Sequence, residues 1–315
     1  MKQALLLGAA LAMTLAAFAR PAQAYVRYKS ANGKPFQWAQ SCIFMTAYPV
    51  DLEGMMTLDE ILSDTDAAAA TWSNVSDSCT YLQIMVASST DKTPHAANDG
   101  HNNIIFRSHD WCKQTATGGC DANVSYDPAA LALTSVSAST STGLIKDADL
   151  EVNATDFHWA DLVMHPDLIG DGQSIHDLQN ALTHEMGHVI GLDHTCYLQP
   201  PPLIDNNGNP TPDCANAPPD VLATTMFPSA NPGDTDKRTL APDDQQAVCD
   251  IYPAAQDPMV CAPPPPSTLQ GCSGSGCTTG GGAAPAAGSG LMVAAAALLM
   301  ARARRRRSNR GRLEP

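Results

Sequence analysis

The residues with the clearest chemical potential lie in the stretch ALTHEMGHVIGLDH, residues 181–194, which spaces three histidines and a glutamate at fixed intervals. Imidazoles four residues apart on a helix stand one turn above the other. His184 and His188 can therefore share one Zn²⁺, at nitrogen distances of roughly 2.0–2.1 Å. Glu185 projects beside them, placed to take a proton from a water at the metal without being a ligand. Gly191 can adopt positive φ, end the helix and turn the chain so that His194 returns to the same ion. Three neutral histidines leave a fourth position open, which is a catalytic rather than a closed structural arrangement. The competing reading is a solvated helix that happens to be rich in histidine. A bare HExxH recurs by chance, and Gly191 and His194 at their offsets are what weigh against that reading.

The elements that must position these residues can be read around them. Residues 177–190 predict a helix on which Leu178, Leu182, Met186, Val189 and Ile190 share one side and pack on a sheet, with the histidines roughly opposite. Residues 41–50, 81–87, 103–107, 131–140 and 143–154 have the alternation or β-branched content of strands. The segment TLDEILSDTDAAAATWS, residues 57–73, predicts a helix opened by a threonine cap. Residues 239–252 predict a C-terminal helix opened by Pro242-Asp243-Asp244, with acidic side chains suited to its N-terminal dipole. A strand, a helix, further strands and then the motif helix predict an α+β fold with a mixed, twisted sheet. Residues 196–231 read as a long loop rich in Pro and Asn, and such a length suggests function or disulfide stapling.

Both ends of the chain carry targeting patterns. Residues 1–24 hold one early lysine, an apolar run and the small-x-small sequence Ala22-Gln23-Ala24, which predicts a signal peptide and Tyr25 as the mature N-terminus. Residues 263–290 form a Gly/Ser/Pro-rich linker containing Cys272 and Cys277, and residues 291–315 an apolar segment followed by seven arginines. Counted back to Ala283, about 19 uncharged residues barely suffice for ~30 Å of hydrocarbon, and the arginines would stay cytoplasmic.

Residues 25–262 suffice for one domain with a sizeable core. They carry 31 acidic and nine basic side chains, a balance that argues against nucleic acid or anionic membrane as a partner. Membrane contact is left to the tail alone. Eight cysteines fall in this region, and an even count in an exported chain reads as disulfides rather than a thiolate zinc site. Sequential pairing is the expectation, since Cys42 and Cys79 each open a predicted strand and Cys112 and Cys120 flank a short loop. Asp147, Asp149 and Glu151 alternate along one predicted strand, and Asp167 and Asp171 lie in a Gly-containing loop. Such oxygen clusters either hold Ca²⁺ or are simply solvated. His95, His101, His109, His158, His165 and His176 share no spacing and read as surface or packing residues.

The run from His184 to His194 matches the zinc-binding sequence of the metzincins. Thr224-Thr225-Met226-Phe227-Pro228 resembles the Met-turn beneath the metal in that clan. The segments GLDH, LAPDDQQAVCDIYP, NIIFR, LALTSV and IKDADLEVNA are similar to those of the matrixins, and the similarity spans residues 25–253. The resemblance implies a zinc endopeptidase with a metzincin-like catalytic domain, acting as a monomer on a protein or peptide. Zn²⁺ would be held by His184, His188 and His194, with Glu185 as general base and Met226 supporting the metal floor. The strand matching LALTSV implies an edge at 131–136, with Leu131, Ala132 and Leu133, on which substrate backbone pairs. The pocket wall would come from the helix around Asn180 and the loop 227–240. The chain departs from the matrixin pattern in three ways: it has no cysteine switch, no clear histidine-rich second-zinc segment and no haemopexin-like repeat. The tail resembles the MYXO-CTERM sorting signal, which implies attachment at a bacterial cell surface. The alternative reading is a non-catalytic adhesion or binding module on the same scaffold.

Overall fold

Alternation in the sequence becomes a five-stranded mixed sheet with helices packed on one face. The computed structural model describes residues 25–49, 56–76, 78–91, 94–115, 119–170 and 174–262. The leader at 1–24, the linker and tail at 263–315 with Cys272 and Cys277, and Asp171 lie outside the described residues. The strands are β1 (Val26–Arg27), β2 (Cys42–Tyr48), β3 (Gln83–Ser88), β4 (Asn102–Arg107), β5 (Cys112–Gln114) and β6 (Cys120–Ser125). They continue as β7 (Ala132–Ala138), β8 (Ile145–Asn153), β9 (His158–Ala160), β10 (Ile175–Asp177) and β11 (Leu192–Asp193). The α-helices are α1 (Leu58–Ser73), α2 (Leu178–Val189), α3 (Pro219–Leu222) and α4 (Pro242–Ile251).

The large sheet has the order β3-β2-β4-β8-β7. Its pairings are parallel except for antiparallel β7–β8, which a short turn suffices to join. The parallel β2–β3 pair needs a crossover, and α1 supplies it. That helix starts with a capping box: Thr57 Oγ1 accepts from Glu60 N (3.3 Å), and Glu60 Oε2 accepts from Thr57 N (2.7 Å). Its inner face is Ile61, Ala68, Ala69 and Trp72, whose small alanines allow close approach to α2.

Strand β8 shows why a strand of alternating acids can be central. Ala148, Leu150 and Val152 enter the main core with Leu178, Leu182 and Met186 of α2. Asp147, Asp149 and Glu151 point to the opposite face and are also buried. There Asp147 Oδ2 accepts from the backbone N–H of Asp99 (3.2 Å) and Gly100 (2.8 Å). Asp149 accepts from Ala97 N (2.8 Å) and Asn103 N (3.0 Å). Glu151 pairs with Arg107 and accepts from Tyr126 Oη (2.7 Å). The acids thus organise the 97–107 segment internally.

The expectation of sequential disulfides holds for Cys112–Cys120 and Cys196–Cys214 and fails for the other two. Cys42 pairs with Cys261, and Cys79 with Cys249. The chain after α4 returns to the start of the sheet, where Tyr81 N donates to Tyr252 O (3.1 Å) and Ser41 N to Val260 O (2.8 Å). Proximity along the chain is therefore overruled by this long-range closure. The β5–β6 hairpin, stapled by Cys112–Cys120, was not anticipated from the sequence. Among the described residues no helix is long and apolar enough to cross a membrane.

Candidate metal centre

The helix carrying the motif is buried on all sides. Asp177 caps it, its Oδ1 accepting from Asn180 N (2.8 Å), while Arg238 clamps Asp177 (2.7 Å) to Asp161 (2.5 Å). Leu178, Ala181, Leu182, Met186 and Val189 enter the core as the periodicity predicts. His184, Glu185 and His188 are equally enclosed, each with 0% exposure. A solvated histidine-rich helix is thereby excluded.

The ring nitrogens define the site. His184 Nδ1 lies 2.6 Å from Thr225 O, and His188 Nδ1 lies 2.8 Å from Leu192 O. A carbonyl only accepts, so each Nδ1 carries the proton and each Nε2 presents a lone pair. Yet the two Nε2 atoms face each other at 3.2 Å. Two lone pairs at that distance repel unless a cation lies against both.

His194 completes the set. Gly191 adopts φ +99° after the helix, and a side chain there would put Cβ 2.8 Å from Phe36 O, so only glycine fits this turn. The chain then pairs β11 with β1 and delivers His194, whose buried Nε2 has no hydrogen-bond partner. Ligand atoms of the three histidines lie within 4.8 Å of one another, and among the described residues no other group of three His, Cys, Asp or Glu is so placed. The orphaned nitrogens and the facing lone pairs fit a metal ion. Burial, followed by Lys237 and the neighbouring imidazoles, holds His184 well below its usual pKa. Burial likewise depresses His194 and takes His188 down to about 4. All three are thus neutral, as ligation requires.

The turn at Met226 packs against the motif helix and orients His184. Asp244, near the start of α4, accepts from Thr225 N (2.7 Å) and Met226 N (3.3 Å) and so pins the turn whose carbonyl orients His184. Met226 is fully buried, and its sulfur lies where a Cβ on Gly187 would be, so a glycine inside the motif is what lets it approach α2.

Glu185 has one oxygen held and one free. Oε2 accepts from Thr134 Oγ1 (2.7 Å), whereas the buried Oε1 has no partner. Burial pushes its carboxyl up to about 8, against the Thr134 hydrogen bond and the charge of Lys237. A cation in the histidine cluster would draw it back toward the carboxylate.

Leu131, Ala132 and Leu133 lie at the start of the sheet-edge strand β7, side chains buried, on the strand that brings Thr134 to Glu185. Asn180 sits on α2 one turn before His184, buried, its Oδ1 accepting from Lys237 N (2.7 Å). Sequence reasoning did not single out Thr134, Lys237, Asp244 or Tyr28 as parts of the site. Thr134 left a faint signal as one of two polar residues within LALTSV, and Asp244 as half of an acidic pair read only as a helix opener. Lys237 left none. Its buried ammonium lies against Phe227 O and 3.4 Å from His184 Nδ1, and burial takes its pKa down to about 7.

No family model matches this chain, and no curated protein matches it in sequence. The fold and the site themselves define an α+β protein with a mixed sheet and a buried three-histidine site able to hold a metal ion.

Proposed function

We propose that the protein is an exported, zinc-dependent endopeptidase of the metzincin clan, similar in its motifs to the matrixins, that hydrolyses peptide bonds in a protein or peptide substrate. The observation that carries this reading is the meeting of two imidazole lone pairs at 3.2 Å beside a buried glutamate with one free oxygen. Three neutral imidazoles form a donor set suited to zinc. His184, His188 and His194 would hold a zinc ion, which would supply Lewis acidity to polarise a carbonyl and lower the pKa of water.

The remaining work belongs to the chain's own residues. Thr134 holds Glu185 by Oε2, which keeps Oε1 free to accept a proton from the attacking water and hand it to the leaving amine. Asp244 and Thr225 fix the orientation of His184. Among the described residues β7 pairs with β8 alone, so an extended peptide can add to its outer edge at 131–136. That addition would bring the substrate backbone alongside the strand that holds Glu185. Four disulfides support an exported protein, since such bonds persist in oxidising compartments.

Glu185→Gln tests the reading. The variant should bind zinc in the same stoichiometry as the wild type and cleave a denatured protein mixture about 10²- to 10⁴-fold more slowly. Wild-type cleavage by the variant would sink the mechanism. A wild-type protein that holds zinc and cleaves nothing would favour the adhesion or binding module instead.

A further inference from the structure

His188 is gripped by a residue outside the motif. Its Nδ1 lies 2.8 Å from Leu192 O and also 3.0 Å from the hydroxyl of Tyr28, which is 160 residues away in the chain. The two rings stack at 5.5 Å with an interplanar angle of 27°. Because Leu192 O can only accept, Nδ1 is the protonated nitrogen, and the phenol oxygen accepts a share of that proton. The carbonyl thus sets the tautomer whose Nε2 lone pair faces the histidine cluster, and the hydroxyl, accepting from the same N–H, adds a second hold on the ring.

Tyr28 reaches this place on a strap that follows the motif turn closely. Val26 pairs with Asp193 and Arg27 with Leu192, and Tyr28 N donates to Gly191 O (3.0 Å). Further along, Trp38 Nε1 donates to Val189 O (2.8 Å), and Phe36 O closes over Gly191. The phenol is 7% exposed, and among the described residues its hydroxyl has His188 as its one hydrogen-bond partner. Packing alone would be served by phenylalanine. The hydroxyl is a polar group carried into the interior and spent on a ring nitrogen of a ligand.

We propose that Tyr28 is a positioning residue for the metal, holding the ring orientation of His188 from the N-terminal strap in the tautomer that Leu192 O sets. This rests on the reading of His184, His188 and His194 as metal ligands, and it does not depend on which substrate the protein cleaves.

The test is zinc affinity of the full chain, measured by competition with a chromophoric chelator, in wild type, Tyr28→Phe and His188→Ala. Tyr28→Phe keeps the ring and its stacking, so the metal-free protein should melt near the wild-type temperature. Its zinc dissociation constant should rise about 10- to 100-fold, the usual effect of removing a partner of a ligating histidine. The visible spectrum of the Co²⁺-loaded variant should shift as well. Wild-type zinc affinity in Tyr28→Phe, with affinity lost in His188→Ala, would overturn the role of Tyr28 and leave the metal site standing. Unchanged affinity in His188→Ala would overturn the site and the proposal together. A second measurement is independent of any variant: nitrogen NMR of the metal-free wild type should show His188 protonated at Nδ1, and protonation at Nε2 would overturn the assignment.

Discussion

The buried histidines do two different things in this protein, and burial decides both. At the candidate metal centre burial keeps His184, His188 and His194 neutral while carbonyls orient two of them, so the lost charge becomes capacity to bind a metal ion. His176 is buried to 2% exposure as well, yet neither of its nitrogens has a hydrogen-bond partner, and it faces Phe157 edge-on at 5.4 Å. Burial lowers its pKa to about 4, with Asp234 pulling weakly the other way. The folded pKa lies below the ordinary value of 6.5, so the neutral ring's contribution is complete above that value and is lost as pH falls toward 4. Between neutrality and about pH 5, wild type should lose roughly 2 kcal/mol through this residue alone. Denaturant unfolding of wild type and His176→Leu at both pH values isolates the effect, because every other titration is common to the two proteins. Equal losses in both would show that His176 does not titrate apart from the unfolded chain.

Elements were legible where their period is local. The apolar side of α2, the threonine cap of α1 and the alternation along β7 and β8 lie within a few residues of sequence, and each appears as read. From the residues themselves the site was legible as far as its ligands share one helix and its C-terminal turn, and the resemblance added the Met226 turn, which packs against that helix. Thr134, Asp244 and Tyr28 reach it from β7, α4 and the N-terminal strap across 51, 18 and 160 residues, and no local pattern encodes such meetings. The motif's own glycine at 187 shows the limit well. By helix propensity, Gly187→Ala should stabilise α2 by about 1 kcal/mol. The structure puts the new Cβ against Met226 Sδ and 2.9 Å from Trp72 Cζ2, both in fully buried side chains, so one or both must shift within the core. Overpacking of that kind costs roughly 1–3 kcal/mol, which exceeds the gain. Gly187→Ala should therefore be destabilised in denaturant melts and, on the proposed reading of the histidine cluster, bind zinc more weakly, since the displaced turn orients His184. A variant more stable than wild type would mean that the contact with Met226 is slack.

At the scale of the whole molecule, the chain closes on itself around the site. Helix α4 gives Asp244 to the Met226 turn, and the residue after it, Tyr252, receives the Trp38 N–H (3.1 Å) and donates to Ile190 O (2.7 Å). The N-terminal strap, the motif helix and the Met226 turn thus meet through the C-terminal helix. Cys79–Cys249 and Cys42–Cys261 staple this closure, spanning 170 and 219 residues, and one loop lies inside the other. Nesting has an energetic consequence. With Cys42–Cys261 intact, Cys79 and Cys249 remain joined by a path of about 49 residues through the outer bond, far shorter than the direct one. On the chain-entropy account the first bond removed should cost roughly 4 kcal/mol and the second roughly 5 kcal/mol, whichever goes first. The test is a cycle of Cys79→Ala/Cys249→Ala, Cys42→Ala/Cys261→Ala and the quadruple variant, with unfolding free energies measured under identical conditions. Costs that simply add would show that the two staples act on separate parts of the unfolded chain. The expected excess of about 1 kcal/mol in the second step would show that they constrain one closure, the one that holds α4 against the three-histidine site.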